Sequence, residues 1–320
     1  MENSLKVTVV ENPATLSGMS ILRTLLYFDL FHYPLTLEEI YLFSGQPVDS
    51  LEQLVREISR LEKCGLVFRF HPFYCLQNDD SNCIRRVKGN REAEKYIPMA
   101  RERAKLLSRF PFIRAVMASG SLSKGYMDEK SDLDFFVVTE PNRLWIARTL
   151  FILYRKLFVP LSRYKEFCTN YFIASDHLEI EEKNLFTATE LITLIPLYNM
   201  ELYTHLLSAN GWTNDYFPNF RKKEYPDLNF QENKFKKGLE KLISLFFRSR
   251  TDQLLMGISL KRFTQQHAHK FTPSEFSQAF KTRNYVSKGH LGNHQTRVLS
   301  LLQERTKSLE ARYAIAYPHG

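Results

Sequence analysis

The segment between residues 112 and 138 limits the fold more than any other, because two apolar stretches flank a short polar one. The first apolar stretch, FIRAVMASG (112–120), has the pattern of a buried strand and runs directly into Gly120 and Ser121. A glycine at a strand end lets a ligand approach the backbone, and the residues after it are predicted to open a helix whose N–H groups face an anion. The pattern therefore predicts a phosphate-binding turn.

The second apolar stretch, Ser131–Val138, carries two aspartates. Residues two apart on a strand point to the same face, so Asp132 and Asp134 are expected to converge, with Leu133 and Phe135 directed to a buried face. Paired carboxylates near a phosphate site suit Mg²⁺, which takes one or two carboxylates and completes its shell with water and substrate phosphates. The alternative is a solvated surface loop, which would not explain why both aspartates lie among Leu, Phe and Val.

This pattern resembles the nucleotidyltransferase superfamily that includes DNA polymerase beta and the aminoglycoside nucleotidyltransferases. The signature of that superfamily is a hydrophobic residue, Gly, Gly or Ser, about nine to thirteen residues, and then two acids that alternate with hydrophobic residues. Residues 119–121, 122–131 and 132–135 match it, except that Ser119 occupies the first hydrophobic position. The resemblance covers roughly residues 92–175 and implies a strand-helix-strand core.

The resemblance also implies an activity and a set of roles. The activity is Mg²⁺-dependent transfer of a nucleoside monophosphate from a nucleoside triphosphate. Gly120 and Ser121 would hold the triphosphate, and Asp132 and Asp134 would be the metal ligands. Lys124, in the same loop, is either a phosphate contact or a solvated lysine.

Members of this superfamily usually add a third carboxylate on a later strand, where it acts as base or orienter. After a helix predicted over Asn142–Phe158, the next strand is predicted over Phe167–Ala174, and the matching position holds Asn170. An amide orients a hydroxyl or a metal-bound water but cannot accept a proton. Glu166 is the substitute candidate, unless it is a solvated surface residue, and Glu190 in the following predicted helix is a weaker one.

The segment before this core is predicted to be a winged helix. It contains three helices, one around Ile21–Leu30 and two that start at Thr36 and Asp49, each of the latter with a glutamate three residues on. Two short strands then flank His71 and Pro72 as a hairpin. Three helices followed by a hairpin resemble a winged-helix domain.

Charge argues against DNA reading by this domain. Residues 18–80 hold five basic and nine acidic residues, and the third helix, Asp49–Lys63, has four acids and three bases. Phosphate contacts supply most non-specific DNA affinity, so a reading helix needs a basic surface. We expect a packing or protein-contact module.

The basic character of the chain lies in its last third. The formal net charge is +9, but residues 221–320 hold 19 basic and 8 acidic residues. This part is predicted to be mostly helical and to meet either the triphosphate or an acidic acceptor such as RNA. His290 and His294 are four residues apart, but they lack the glutamate of a zinc-binding helix and lie beside glycines, so we do not expect a metal there. The polar segment SKGHLGNHQTR (287–297) is expected to face an anion.

Composition gives the expected compartment. Four cysteines at irregular spacing predict reduced thiols and no disulfide framework. The N-terminal residues lack the pattern of a secretory signal, and the most apolar long stretch, residues 144–161, carries three basic residues. These features predict a soluble, cytoplasmic protein without a membrane partner.

The sequence thus predicts an α+β protein of three parts. They are a winged helix over 15–80, a nucleotidyltransferase core with a small mixed sheet over 90–205, and a basic helical domain over 220–320. The expected function is Mg²⁺-dependent nucleotidyl transfer to a hydroxyl of a small molecule, protein or RNA. The alternatives are a non-catalytic nucleotide-binding adaptor and a winged-helix regulator.

Overall fold

The computed structural model describes residues 15–225, 234–247, 249–289 and 294–313. The elements of the first part are, in order, α1 (Leu16–Asp29), β1 (Leu35–Thr36), α2 (Leu37–Phe43), α3 (Leu51–Lys63), β2 (Phe68–Phe70), β3 (Phe73–Cys75), α4 (Ser81–Ser108), β4 (Ile113–Ser119), α5 (Gly120–Ser123) and β5 (Asp134–Thr139). The second part contains α6 (Leu144–Phe158), β6 (Cys168–Ala174), α7 (Leu185–Thr193), β7 (Ile195–Tyr198), α8 (Met200–Ala209), α9 (Thr213–Tyr216), α10 (Lys234–Phe246), α11 (Ser249–His267), α12 (Pro273–Ala279), β8 (Val286–Lys288) and α13 (His294–Tyr313). Two 3-10 helices, Leu161–Phe167 and Ala268–Lys270, complete the set.

The described residues divide into two compact units. The first holds the residues up to 87, residues 214–221 and the part of α13 from residue 296, and the second holds residues 88–213 and 222–295. The basic stretch 220–320 is therefore shared between the units and is not a compact unit of its own. The physical reason is β8, which hydrogen-bonds to β6 and so joins the C-terminal part of the chain to the sheet of the second unit.

The first unit contains the three predicted helices and a three-stranded antiparallel sheet in the order β1-β3-β2. Thr36 caps α2 through a capping box with Glu39, as the spacing predicts. Helix α3 starts one residue later than predicted, because the Ser50 hydroxyl, and not the Asp49 carboxylate, accepts from the Gln53 N–H at 3.2 Å. The assignment of this unit as a winged helix stays a prediction.

The second unit is built on a five-stranded mixed sheet in the order β7-β4-β5-β6-β8. Strands β5 and β6 are parallel, and the other neighbours are antiparallel. Alternate residues of β5 face opposite layers. Phe135 and Val137 pack in a core cluster with residues of α4 and α6, whereas Phe136 and Val138 pack with residues of α7 and α8. The sheet is therefore covered on both faces.

Two predicted helices have different bounds in the structure. The apolar spacing of residues 91–110 predicts a helix there. In the structure this helix is the end of a longer α4, which begins at Ser81 and continues through Pro98. The segment FTATELITLIPLYN (186–199) is not one helix, because α7 ends at Thr193 and Ile195–Tyr198 is an edge strand. Pro196 explains the break, since proline lacks the N–H of a helix interior but is tolerated in an edge strand.

Within the described ranges, no helix has the length and apolar content needed to cross a membrane. The four cysteines are free thiols, as predicted, and the sulfur atoms of Cys75 and Cys83 lie 3.3 Å apart.

Two charged side chains of α10 fasten that helix to the turn before β4. The Lys236 ammonium is buried and donates to the carbonyls of Ser108 at 2.8 Å and Ile113 at 2.6 Å. The Glu240 carboxylate accepts from the Phe112 N–H at 2.6 Å and pairs with Arg114 at 2.7 Å. Removal of either side chain would therefore take a hydrogen bond away from each of its partners in a partly buried site.

We expect Glu240→Ala to lower the free energy of unfolding by about 2 kcal/mol, because it leaves the Phe112 N–H without its acceptor and the Arg114 guanidinium with Glu140 as its remaining carboxylate. The matched control is Lys241→Ala on the exposed side of the same helix, which should change stability by less than about 0.5 kcal/mol. Urea denaturation followed by circular dichroism measures both. Equal effects of the two variants would contradict the role given to Glu240.

Candidate active site

The turn after β4 is in contact with the first residue of β5. Ser119 pairs with Asp134 in the antiparallel ladder, and Gly120 follows with a φ of +65°. A Cβ atom at Gly120 would lie 2.2 Å from the Asp134 Oδ2 atom. Glycine is therefore required here for two reasons. It adopts a positive φ without strain, and a Cβ atom at this position would collide with the Asp134 carboxylate.

Hydrogen bonds within the turn fix its shape. The Ser123 hydroxyl donates to the Gly120 carbonyl at 2.8 Å, and the Lys124 ammonium donates to the same oxygen at 3.2 Å. The Ser121 carbonyl accepts from the N–H groups of Lys124 at 3.0 Å and Tyr126 at 3.1 Å. The predicted helix is only the single turn α5, so the candidate phosphate contacts are the N–H groups of a tight turn and not the end of a long helix.

The two aspartates alternate with buried residues as predicted, although the strand starts later. Strand β5 begins at Asp134, and Asp132 lies in the extended segment before it. The Leu133 N–H donates to the Lys165 carbonyl at 2.8 Å, which keeps this segment extended. Asp132 is exposed and Asp134 is half-buried, whereas Leu133 and Phe135 are fully buried.

Asn170 reaches Asp134 because of a β-bulge. Phe135 is opposite Thr169 and Phe136 is opposite Tyr171, so Asn170 is an extra residue on β6. A bulge redirects the side chain it carries. The Asn170 amide donates from Nδ2 to the Asp134 Oδ1 atom at 2.5 Å, and its Oδ1 atom accepts from the Cys168 thiol at 3.1 Å.

Negative charge is concentrated around Asp134. Burial raises the pKa of Asp134 to about 6, and the charges of Asp132 and Glu190 act in the same direction, while the Cys168 thiol and Lys124 lower it. The Lys124 ammonium also forms an ion pair with the Glu190 carboxylate at 2.8 Å. Burial and the nearby aspartates raise the pKa of Cys168 to about 12, so this thiol remains protonated at neutral pH. The effect of Lys124 on Asp134 is therefore smaller than the combined effect of burial and the neighbouring carboxylates, and ionised Asp134 is unfavourable.

Glu166, the substitute for the third carboxylate, has other partners. It pairs with Arg103 at 2.7 Å and Arg163 at 2.8 Å, and hydrogen bonds from both guanidinium groups lower its pKa. It does not line the cavity beside Asp134. Glu166 is therefore neither a solvated glutamate nor placed with the other candidate site residues.

A cavity of about 620 Å³, its open mouth included, lies next to Asp134. It is lined by Ser119, Gly120, Asp134, Phe136, Asn170, Tyr171, Ile180, Phe186, Thr187, Glu190, Leu191, Leu194, Lys288 and Gln295. The cavity brings together the turn glycine, one aspartate, the amide of Asn170 and Glu190, and it adds an apolar wall.

Lys288 is a cavity residue that sequence reasoning did not identify. It lies on β8 opposite Tyr171, and its ammonium donates to the Gln295 Oε1 atom at 2.9 Å. Burial lowers its pKa. The predicted anion-facing segment 287–297 contains this lysine, but His290 lies outside the described residues and β8 is too short for a clear sequence pattern.

The donor set fits Mg²⁺ without a third acid. Asp132 and Asp134 supply two carboxylates, and within the described residues no group of three or more His, Cys, Asp or Glu side chains is placed to hold a metal ion. Mg²⁺ in phosphate-transferring sites needs only one or two protein carboxylates. The raised pKa of Asp134 shows that a cation at this position would relieve an existing electrostatic cost.

We expect Gly120→Ala to destabilise the protein by at least about 2 kcal/mol, through strain at positive φ and the clash with Asp134. The matched control is Gly238→Ala in α10, where an added Cβ meets nothing within 4 Å. Helix propensity predicts that this control gains up to about 1 kcal/mol. Thermal unfolding compares the two, and a neutral Gly120→Ala would contradict the proposed contact.

We expect Asp134→Asn to stabilise the metal-free protein by about 1–2 kcal/mol at pH 7, because it removes a carboxylate that is costly to ionise. Since the folded-state pKa is raised, the cost of the wild-type carboxylate is complete above about pH 6. It vanishes below the unfolded value of 3.8. Unfolding at pH 4 and pH 7 tests this, with exposed Glu129→Gln as control. A gain of equal size at both pH values would disagree with it.

Comparison with known proteins bears on the same segment. No curated protein and no solved structure matches the chain. Residues 100–201 match the family model described as nucleotidyltransferase domain, and this range spans β4, the turn, both aspartates, Asn170 and Glu190. The match confirms the superfamily resemblance stated from the sequence. Residues 100–201 of this chain are therefore similar to nucleotidyltransferase domains.

Proposed function

We propose that this domain transfers a nucleoside monophosphate from a nucleoside triphosphate to a hydroxyl acceptor, with Mg²⁺ held by Asp132 and Asp134. The acceptor oxygen attacks the α-phosphorus, the bond to the β-phosphate oxygen breaks, and pyrophosphate leaves. Bound Mg²⁺ would neutralise charge that develops on the phosphates. The observation that carries the proposal is the contact of the Gly120 turn with Asp134, since it joins a phosphate turn to a carboxylate.

The turn residues have distinct roles in this proposal. Gly120 and Ser121 present backbone N–H groups to the triphosphate, and Lys124 contacts it as a point charge. Lys124 is paired with Glu190 in the structure, so a bound phosphate would replace the Glu190 carboxylate as the partner of the Lys124 ammonium. The apolar wall, with Phe136 and Tyr171 stacked at 4.7 Å, suits the base or an apolar part of the acceptor.

Asn170 orients Asp134 and does not act as a base. Its Nδ2 atom donates to Asp134, so it holds one carboxylate oxygen and leaves the other, Oδ2, on the side of the Gly120 turn. The acceptor proton then needs another base, and Glu190 is the ionisable carboxylate in the cavity besides Asp134. Glu190 is thus a stronger candidate than Glu166.

We expect the double variant Asp132→Asn, Asp134→Asn to lose Mg²⁺-dependent nucleotide transfer, because both metal ligands are neutralised. Incubation with each labelled triphosphate, Mg²⁺ and a cell extract shows which class of molecule is labelled, and pyrophosphate release gives the rate. Mg²⁺ with triphosphate should also raise the unfolding midpoint of the wild type but not of the double variant. An unchanged transfer rate would rule out the assignment, and Glu129→Gln, which removes one exposed carboxylate nearby, is the control.

A non-catalytic nucleotide-binding adaptor is the second candidate, and it is favoured by Asn170 at the position of the usual third acid. It predicts triphosphate binding by calorimetry without pyrophosphate release for any acceptor in the extract. Pyrophosphate release alone distinguishes the two candidate functions, because both require the Gly120 turn to bind phosphate.

A further inference from the structure

A row of three side chains crosses the cavity face of the five-stranded sheet. Phe136 of β5 is paired with Tyr171 of β6, and Tyr171 is paired with Lys288 of β8. Residues that are directly opposite on neighbouring strands have side chains on the same face. The Phe136 and Tyr171 rings are stacked with their centres 4.7 Å apart, and all three residues line the cavity. Lys288 therefore extends the aromatic wall with a charged group.

Strand pairing also determines how far Lys288 lies from the candidate metal ligand. Asp134 is two residues before Phe136 on β5, so its side chain is on the same face of the sheet. Two spacings between neighbouring strands separate β5 from β8, which amounts to about 10 Å. The carboxylate and the ammonium therefore border one cavity without being paired to each other.

The Lys288 ammonium has a neutral partner in place of an ionic one. Lys288 is half-buried and donates to the Gln295 Oε1 atom at 2.9 Å. Among the described residues, no carboxylate lies within ion-pair distance of it. An ammonium that is withdrawn from water without an ionic partner carries a desolvation cost, which a bound anion would offset. An ammonium has three N–H donors, so Gln295 leaves donors for a ligand.

The glutamates that act on Lys288 electrostatically have lysine partners of their own. Burial and the charge of Lys281 lower the pKa of Lys288, whereas Glu182 and Glu190 partly oppose this effect. Glu182 pairs with Lys281 at 3.1 Å, and Glu190 pairs with Lys124 at 2.8 Å. The protein therefore supplies a carboxylate to each of the other two lysines and only an amide to the cavity lysine.

Lys288 lies on the acceptor side of the proposed reaction. In the order of the sheet, the Gly120 turn follows β4 on one side of β5, whereas β6 and β8 lie on the other side. The attacking and leaving oxygens are roughly in line in phosphoryl transfer. Pyrophosphate held at the turn would leave toward β4, so the hydroxyl would attack from the side of Asn170 and Lys288.

The charges around the cavity suit one anionic group and not a chain of them. Lys288 is the only Lys or Arg residue among the described residues that line the cavity, and Asp134 and Glu190 also line it. A polyanion such as RNA needs several cations along its backbone, and here its phosphates would come close to two carboxylates. A small acceptor with one anionic group meets neither difficulty.

We propose that Lys288 binds the anionic group of the acceptor, and that the acceptor is a small molecule with a hydroxyl and one carboxylate or phosphate. This acceptor class rests on the proposed nucleotidyl transfer. The hydroxyl lies beside Asp134 and Asn170, the apolar part contacts the rings of Phe136 and Tyr171, and the anion contacts the ammonium. A carboxylate and a phosphate share this recognition, because both present oxygens to charged N–H donors.

Binding of small aromatic anions to the full chain tests the subsite without a transfer reaction. The probes are benzoate and phenyl phosphate, with neutral benzamide as the reference, and calorimetry measures each affinity. We expect at least one anion to bind more tightly than benzamide and about tenfold more weakly to Lys288→Met, which keeps an unbranched side chain but removes its charge. The anion that binds more tightly identifies a carboxylate or a phosphate as the preferred group.

Two further variants control this measurement, with folding checked by circular dichroism. Lys288→Arg keeps the charge and should retain most of the affinity. Lys223→Met removes a lysine at an exposed position outside the cavity lining and should change the affinity by less than about twofold. Equal affinity of the wild type and Lys288→Met for both anions, or no preference of the wild type for either anion over benzamide, would overturn the proposal.

Transfer assays identify the acceptor class. A cell extract is separated into small molecules retained on an anion exchanger, small molecules that are not retained, and RNA, and each fraction receives labelled triphosphate and Mg²⁺. We expect label in the retained small molecules, with an apparent KM for that fraction about tenfold higher in Lys288→Met and a triphosphate KM within about twofold of the wild type. Label only in unretained molecules or in RNA would overturn the proposal. No label in any fraction, together with anion binding that depends on Lys288, would instead overturn nucleotidyl transfer and leave the anion site in place.

Discussion

The contact between the Gly120 backbone and the Asp134 carboxylate is the constraint around which the second unit is organised. Strands β4 and β5 pair so that Ser119 faces Asp134, and only a residue without a Cβ atom fits next. Asn170 then approaches from β6 and holds the other carboxylate oxygen. Three neighbouring strands thus converge on one half-buried charge, which is unfavourable for folding in the absence of a cation and useful for binding one.

The two faces of the mixed sheet differ in the helices that cover them and in whether they border the cavity. One face, covered by α4 and α6, contains the larger apolar cluster with Trp145 and Phe151. The other, covered by α7 and α8, opens beside Phe136 into the cavity. Because the residues of β5 alternate between these faces, a shift of its register by one residue would move Asp134 into the apolar layer. The buried residues Leu133 and Phe135 therefore help to fix the position of the carboxylate between them.

The local features of the site could be predicted from the sequence, whereas its long-range features could not. Gly120, Asp132 and Asp134 lie within one strand-turn-strand segment, where alternation and a strand-ending glycine have local causes. The orientation of Asn170 results from a bulge between β5 and β6, which no residue pattern in β6 indicates. The strand Ile195–Tyr198 was predicted as helix because a short apolar run has no clear period. Lys288 enters the cavity only through pairing of β8 with β6.

The position of β8 at the edge of the sheet has a consequence for the biosynthesis of the protein. A ribosome delivers β4, β5, β6 and β7 long before Val286–Lys288 leaves the exit tunnel, so β6 remains an open edge while more than a hundred further residues are made. An uncovered strand edge is a site for wrong pairing with other chains. The nascent domain therefore acquires its cavity lysine and loses its exposed edge in the same late step, when the last strand docks.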